Sequence, residues 1–151
     1  MTKKIFLLSI IFIFANTLNG YSLCVDKHEA NLRSGAGAKF GVTWKVFKFM
    51  PLQKVSAKKV KKKTWFRVKD IDGDIQWVTA SSITSSYKCA VVNKDNVNVK
   101  KSPKGSSKNA SISPAKKYYS FKVITKKKNW VKVMDEERNS GWISKNHLWI
   151  R

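Results

Sequence analysis

Acidic residues are scarce in this chain. Nine Asp and Glu stand against 31 Lys and Arg, for a formal net charge of +22. So few carboxylates leave no paired Glu/Asp set suited to glycosidic cleavage. Histidine is as rare: His28 and His147 lack metal-ligand spacing, and neither sits beside a nucleophile signature. Seven glycines form no Gly-rich phosphate loop. The Asp70-Ile71-Asp72-Gly73-Asp74 stretch resembles a calcium loop, but its Gly comes too early and Ser81 stands where the closing Glu belongs. It reads as a turn. No enzyme, cofactor or metal is expected from this composition.

Long apolar runs are also missing. The longest, Ile5 to Ala15, is broken only by Ser9 and is too short to span a bilayer. With Lys3 and Lys4 before it and small residues at Gly20 and Ser22 after it, residues 1–22 read as a secretory signal peptide. Leu23 occupies the place where a lipoprotein needs a small residue before Cys24, so lipidation is not expected. The chain is expected in the periplasm or outside the cell.

There are two cysteines, Cys24 and Cys89, each near the start of a repeat described below. In an oxidising compartment they read as a bridge tying the repeats together, with two separate buried thiols as the alternative.

What the chain has in abundance is lysine. Removal of residues 1–22 leaves a charge of about +20, more than solubility requires, which favours polyanionic partners. It also has a repeat. Lys61-Lys62-Lys63-Thr64-Trp65-Phe66-Arg67-Val68 aligns with Lys126-Lys127-Lys128-Asn129-Trp130-Val131-Lys132-Val133 at an offset of 65 residues. The same offset aligns Asp70 with Asp135, Trp77 with Trp142, Val78 with Ile143 and Ile83 with Leu148. Upstream the register slips by two, so that Ala30-Asn31-Leu32-Arg33 meets Val97-Asn98-Val99-Lys100. Two copies are too few for a solenoid. They read as two small units, residues 23–84 and 85–151, parting near Thr84-Ser85-Ser86.

Within each unit the apolar period is two: Phe66 and Val68 alternate with Trp65 and Arg67, and Val131 and Val133 with Trp130 and Lys132. The stretches 34–37, 70–74, 101–107 and 135–141 are rich in breakers or charge and read as turns and loops. Many short strands with frequent turns imply an all-β chain of small barrels. Phe66 and Val68 face the core, so Trp65 lies on the opposite, less buried face, and Trp130 does likewise.

Each half resembles a bacterial SH3-like (SH3b) domain. In the first half the motif is Asn31-Leu32-Arg33-Ser34-Gly35, Met50-Pro51-Leu52, Trp65-Phe66-Arg67-Val68, Gly73 and Trp77-Val78. In the second it is Asn98-Val99-Lys100, Tyr118 to Ile124, Trp130-Val131-Lys132-Val133 and Gly141-Trp142-Ile143. There are departures. Lys100 replaces the usual Arg, the second half lacks the Gly-x-Gly opening, Gln76 stands where Gly precedes the Trp, and extra residues surround Ser56–Val60.

The resemblance implies two tandem SH3-like β-barrels whose ligand face carries Trp65, Trp77, Trp130 and Trp142, the alternative being that these tryptophans cover the core edge or pack between the units. Lys61, Lys62, Lys63, Lys126, Lys127 and Lys128 would form cationic hairpin tips beside that face. Asn31 and Arg33 would serve the long loop structurally. The resemblance further implies a non-catalytic module recognising cell-wall peptidoglycan peptides, and the lysine excess adds anionic envelope polymers as ligands. The alternatives are a protein-interaction or scaffold module for exported enzymes, and an exported binder of nucleic acid or anionic lipid, for which no aromatic RNA motif or recognition helix is present.

Overall fold

The computed structural model describes residues 22–151. The expected export segment, residues 1–22, thus lies outside the described residues save for Ser22. The all-β expectation holds. Among the described residues there are twelve strands, two single 3-10 turns and no α-helix.

The first half holds β1 (Ser22–Val25), β2 (Glu29–Arg33), β3 (Val42–Phe47), β4 (Pro51–Val60), β5 (Lys63–Lys69), β6 (Ile75–Thr79) and β7 (Ile83–Thr84). They form one sheet in the order β3-β2-β6-β5-β4-β1-β7. The second half holds β8 (Cys89–Val92), β9 (Ser120–Lys127), β10 (Trp130–Met134), β11 (Ser140–Ser144) and β12 (Leu148–Ile150), in the order β11-β10-β9-β8-β12.

Neither sheet closes on itself, which corrects the expectation of barrels. The second half also lacks a hairpin matching β2 and β3. Three isolated bridges replace it: Val97 to Ala115, Lys100 to Asn109 and Lys100 to Trp142. The cause is local. Val42-Thr43-Trp44-Lys45-Val46-Phe47 is β-branched and aromatic, whereas residues 101–114 are mostly Ser, Lys and Pro, which pack poorly on a pleated surface and, for proline, cannot donate to a ladder.

Alternation places the cores. Leu32, Val46, Leu52, Val68 and Val78 fill the first, and Val99, Phe121, Val131, Val133 and Ile143 the second. Each is fully or almost fully buried, worth about 1.5–3 kcal/mol per large side chain. All four residues of β8 are buried because the strand serves both sides. Ala90 and Val92 enter the second core, Val91 enters the first, and Cys89 meets Cys24 and Phe49. Trp149 on β12 also packs against the first core.

Candidate functional site

The acidic turns are structural. Asp70 is buried, and its Oδ1 accepts hydrogen bonds from the backbone of Asp72 (3.0 Å) and Asp74 (2.9 Å). Its Oδ2 accepts one from Gln76 Nε2 (2.6 Å), and Thr43 donates to Gln76 Oε1. Asp135 repeats the device with Asn139. Burial nevertheless pushes the Asp70 carboxyl above its ordinary value, outweighing the hydrogen bonds that favour its charged form. Among the described residues no group of three His, Cys, Asp or Glu could hold a metal ion.

These turns set the register of the strands that carry the tryptophans. Across β5 and β6, Trp65 pairs with Thr79 and Arg67 with Trp77. Across β10 and β11, Trp130 pairs with Ser144 and Lys132 with Trp142. Directly paired residues point to the same face, so Trp65 and Trp77 are diagonal neighbours on the outer face of their sheet. Trp130 and Trp142 are diagonal neighbours on theirs.

Trp65 departs from the expectation of a less buried position: it lies on the outer face yet is only 6% exposed, whereas Trp77, Trp130 and Trp142 are half-buried. The 34–41 loop explains the difference. Arg33 Nη1 donates to the carbonyls of Ala38 (3.2 Å) and Phe40 (2.7 Å), and Ser34 N donates to Gly41 O, closing the loop. The Phe40 ring lies so close to Gly35 that a Cβ there would come within 2.5 Å of it. The loop, so held, walls a cleft of about 660 Å³ against the Val60–Lys63 hairpin tip, with Trp65 between them. A second hollow of about 290 Å³ also touches Trp65, lined by Glu29, Asn31, Arg33 and Lys63. Trp65 is thus the floor of a cleft and not an open platform. Lys61, Lys62 and Lys63 all line this cleft and are exposed.

The lysine tips differ between the halves despite their equal sequence spacing. In the first, Lys61 and Lys62 are the two turn residues, and Trp65 sits two pairs further down, opposite Lys58. In the second, Lys128 and Asn129 make the turn and Trp130 follows at once, opposite Lys127. Lys126 lies on β9 opposite Val131. The extra residues around Ser56–Val60 lengthen the first hairpin. A Lys–Trp cross-strand pair survives in both halves, as Lys58–Trp65 and Lys127–Trp130.

The cations beside Trp77 and Trp142 are not apparent from the sequence. Arg33 of β2 pairs with Trp77, which pairs with Arg67. Lys100 bridges to Trp142, which pairs with Lys132. The shared Arg33/Lys100 alignment was visible. Its place beside the indole was not, because it depends on pairing between distant strands.

The halves meet through several bonds. Cys24 and Cys89 are joined by a disulfide, with Cα atoms 6.0 Å apart. Tyr118 Oη donates to Asp72 Oδ2 (2.8 Å), Ser120 Oγ to Lys48 O (2.7 Å), and His28 Nδ1 lies 2.9 Å from Glu136 Oε2. The Tyr118 ring meets Trp44 edge-on at 5.4 Å. Between them runs a groove of about 410 Å³.

Comparison with known proteins yields one family. The family model described as bacterial SH3 domain matches residues 26–84 and again residues 93–149. No curated protein matches the sequence. Among solved structures, an NlpC/P60 family protein from Bacillus cereus is 9% identical over 86% of this chain and 56% of its own, with a TM-score of 0.36. NlpC2 from Trichomonas vaginalis is 6% identical over 85% and 47%, also at 0.36. The CBD of endolysin LysPBC5 is 17% identical over 87% and 94%, at 0.32. The chain spans about half the length of the first two.

Proposed function

The chain belongs to the bacterial SH3 domain family, and from that premise we propose that it is an exported, non-catalytic binding protein of the cell envelope. Its ligand in this reading is a peptidoglycan peptide or an associated anionic polymer. The observation that carries the proposal is the first-half cleft. A loop and a hairpin tip face each other across Trp65, and Lys61, Lys62 and Lys63 line the space between them. Trp65, only 6% exposed, fixes the shape of the cleft from beneath, and three exposed ammonium groups give attraction to negative charge. The two halves would act as unequal faces, since the hairpins differ in length.

The test is binding of the protein to isolated cell wall across a salt series, with peptide-stripped wall as control. Lys61→Gln with Lys62→Gln and Lys63→Gln alters only exposed side chains, so the fold is retained. The reading expects binding that weakens with salt and drops severalfold in the triple variant. Binding that is indifferent both to salt and to the three lysines would overturn it.

A further inference from the structure

The paired strands hold a feature that the cleft does not use. In the first half Arg33, Trp77 and Arg67 stand side by side on β2, β6 and β5. In the second, Lys100, Trp142 and Lys132 stand in the same order. Each indole is flanked on both sides by a cation, at one strand spacing of about 4.8 Å. The arrangement occurs twice, with Arg exchanged for Lys and the charge kept.

These cations are not spent on neighbours of opposite charge. None of the four takes part in an ion pair among the described residues. The rows continue into neutral residues, Val42 and Ser56 in one and Asn109 and Thr125 in the other. None of the described cation–aromatic contacts uses Trp77 or Trp142. Both indoles are half-buried, and Arg67 is exposed. Arg33 alone has a structural duty, through its Nη1.

We propose that each row is a binding site for an acidic sugar unit, its ring on the indole and its anionic group on a flanking cation. This deepens the envelope-polymer reading above and rests on it for the class of polymer. A bare polyanion would use the cations and leave the indole idle. A nucleotide would place its charge one sugar away from the ring that stacks. Cations immediately beside the indole suit a ligand whose charge sits on the stacked ring itself. Arg67 can grip a carboxylate through two parallel hydrogen bonds, whereas Lys132 offers a point charge. The first-half row is therefore the tighter site for a carboxylated sugar.

The experiment is calorimetric titration of the protein with carboxylated oligogalacturonate at fixed ionic strength. Neutral dextran, inorganic polyphosphate and a single-stranded oligonucleotide serve as comparison probes. Oligogalacturonate is expected to bind, and dextran is not. Arg67→Gln with Lys132→Gln should weaken oligogalacturonate about tenfold or more, and Arg67→Lys should weaken it more than Lys132→Arg does. Trp77→Leu with Trp142→Leu, checked for folding by circular dichroism, should weaken oligogalacturonate and leave polyphosphate unchanged.

Equal affinity for polyphosphate and oligogalacturonate with no effect of the indoles, or tightest binding to the oligonucleotide, overturns the proposal. So does an unchanged affinity in the Arg67/Lys132 variant. The outcome separates from that of the wall-binding test. Loss of wall binding in the Lys61–Lys63 variant alongside no oligogalacturonate binding sinks only the row. Oligogalacturonate binding that depends on the row, with no binding to wall, sinks only the envelope reading.

Discussion

Gln76 donates a 2.6 Å hydrogen bond to the buried carboxylate of Asp70, and Gly141 stands at the matching place in the second half. The two positions have diverged into incompatible solutions. Gln76→Gly would strip a partner from a buried anion and leave a void, at a cost of about 2–3 kcal/mol. Gly141→Ala would bring a Cβ within 2.5 Å of Val99 Cγ1, and overpacking of that kind costs about 1–3 kcal/mol. Urea denaturation of both variants reads these losses. A neutral Gly141→Ala would mean that Val99 can yield.

Asp70 gives the fold a pH-dependent term. Burial raises its folded pKa above the ordinary 3.8. The folded state therefore holds the proton more tightly than the unfolded chain does. This contribution is complete below the ordinary value and is lost as pH climbs through the raised one. Measured against Asp70→Asn, the relative stability of the native protein should fall from about pH 3 toward neutrality. A difference that grows with pH would show that hydrogen bonds to the carboxylate outweigh its desolvation.

Lys61 and Lys128 both hold a left-handed backbone at the hairpin tips, with φ of 52° and 51°. A lysine side chain disfavours that conformation, and glycine does not. Lys128→Gly should raise the unfolding free energy by about 1 kcal/mol, read as a higher melting temperature. The same substitution at Lys61 should stabilise similarly while removing one of the three lysines that line the Trp65 cleft.

The Cys24–Cys89 disulfide closes a separation of 65 residues. Constraint of the unfolded chain over that length is worth about 4 kcal/mol. Both sulfurs belong to fully buried residues, so mild reductant should leave the folded protein oxidised and act only as it unfolds. Cys24→Ala with Cys89→Ala should lower the midpoint accordingly.

Trp149→Ala should cost about 3 kcal/mol and should speed hydrogen exchange in the first half, at Val46 and Val78, although the residue lies in the second. Exchange that changes only in the second half would show that the contact of Trp149 with the first core contributes little.

The duplication, the strands and the acidic turns were legible because they are local. Phe66 and Val68 alternate with their neighbours, and Asp70 and Asp135 recur at one offset. The burial of Trp65 was not, since it depends on a loop closed by Arg33 from the other end of the half. The lysine tips misled for a related reason: equal distance from a Trp in sequence conceals a longer hairpin in the first half. The missing hairpin of the second half follows from residues 101–114, whose composition signalled a loop without revealing that two strands are absent. The cation–indole rows lie across strands far apart in sequence, where no single window can see them.

Strand β8 supplies Val91 to one core while Ala90 and Val92 fill the other. A duplicated gene segment ordinarily leaves two cassettes that can be lost, copied or shuffled separately. Here a cut on either side of Cys89–Val92 leaves one half without part of its interior. A deletion that removes one copy therefore also takes core side chains from the other, so the two halves are not interchangeable cassettes.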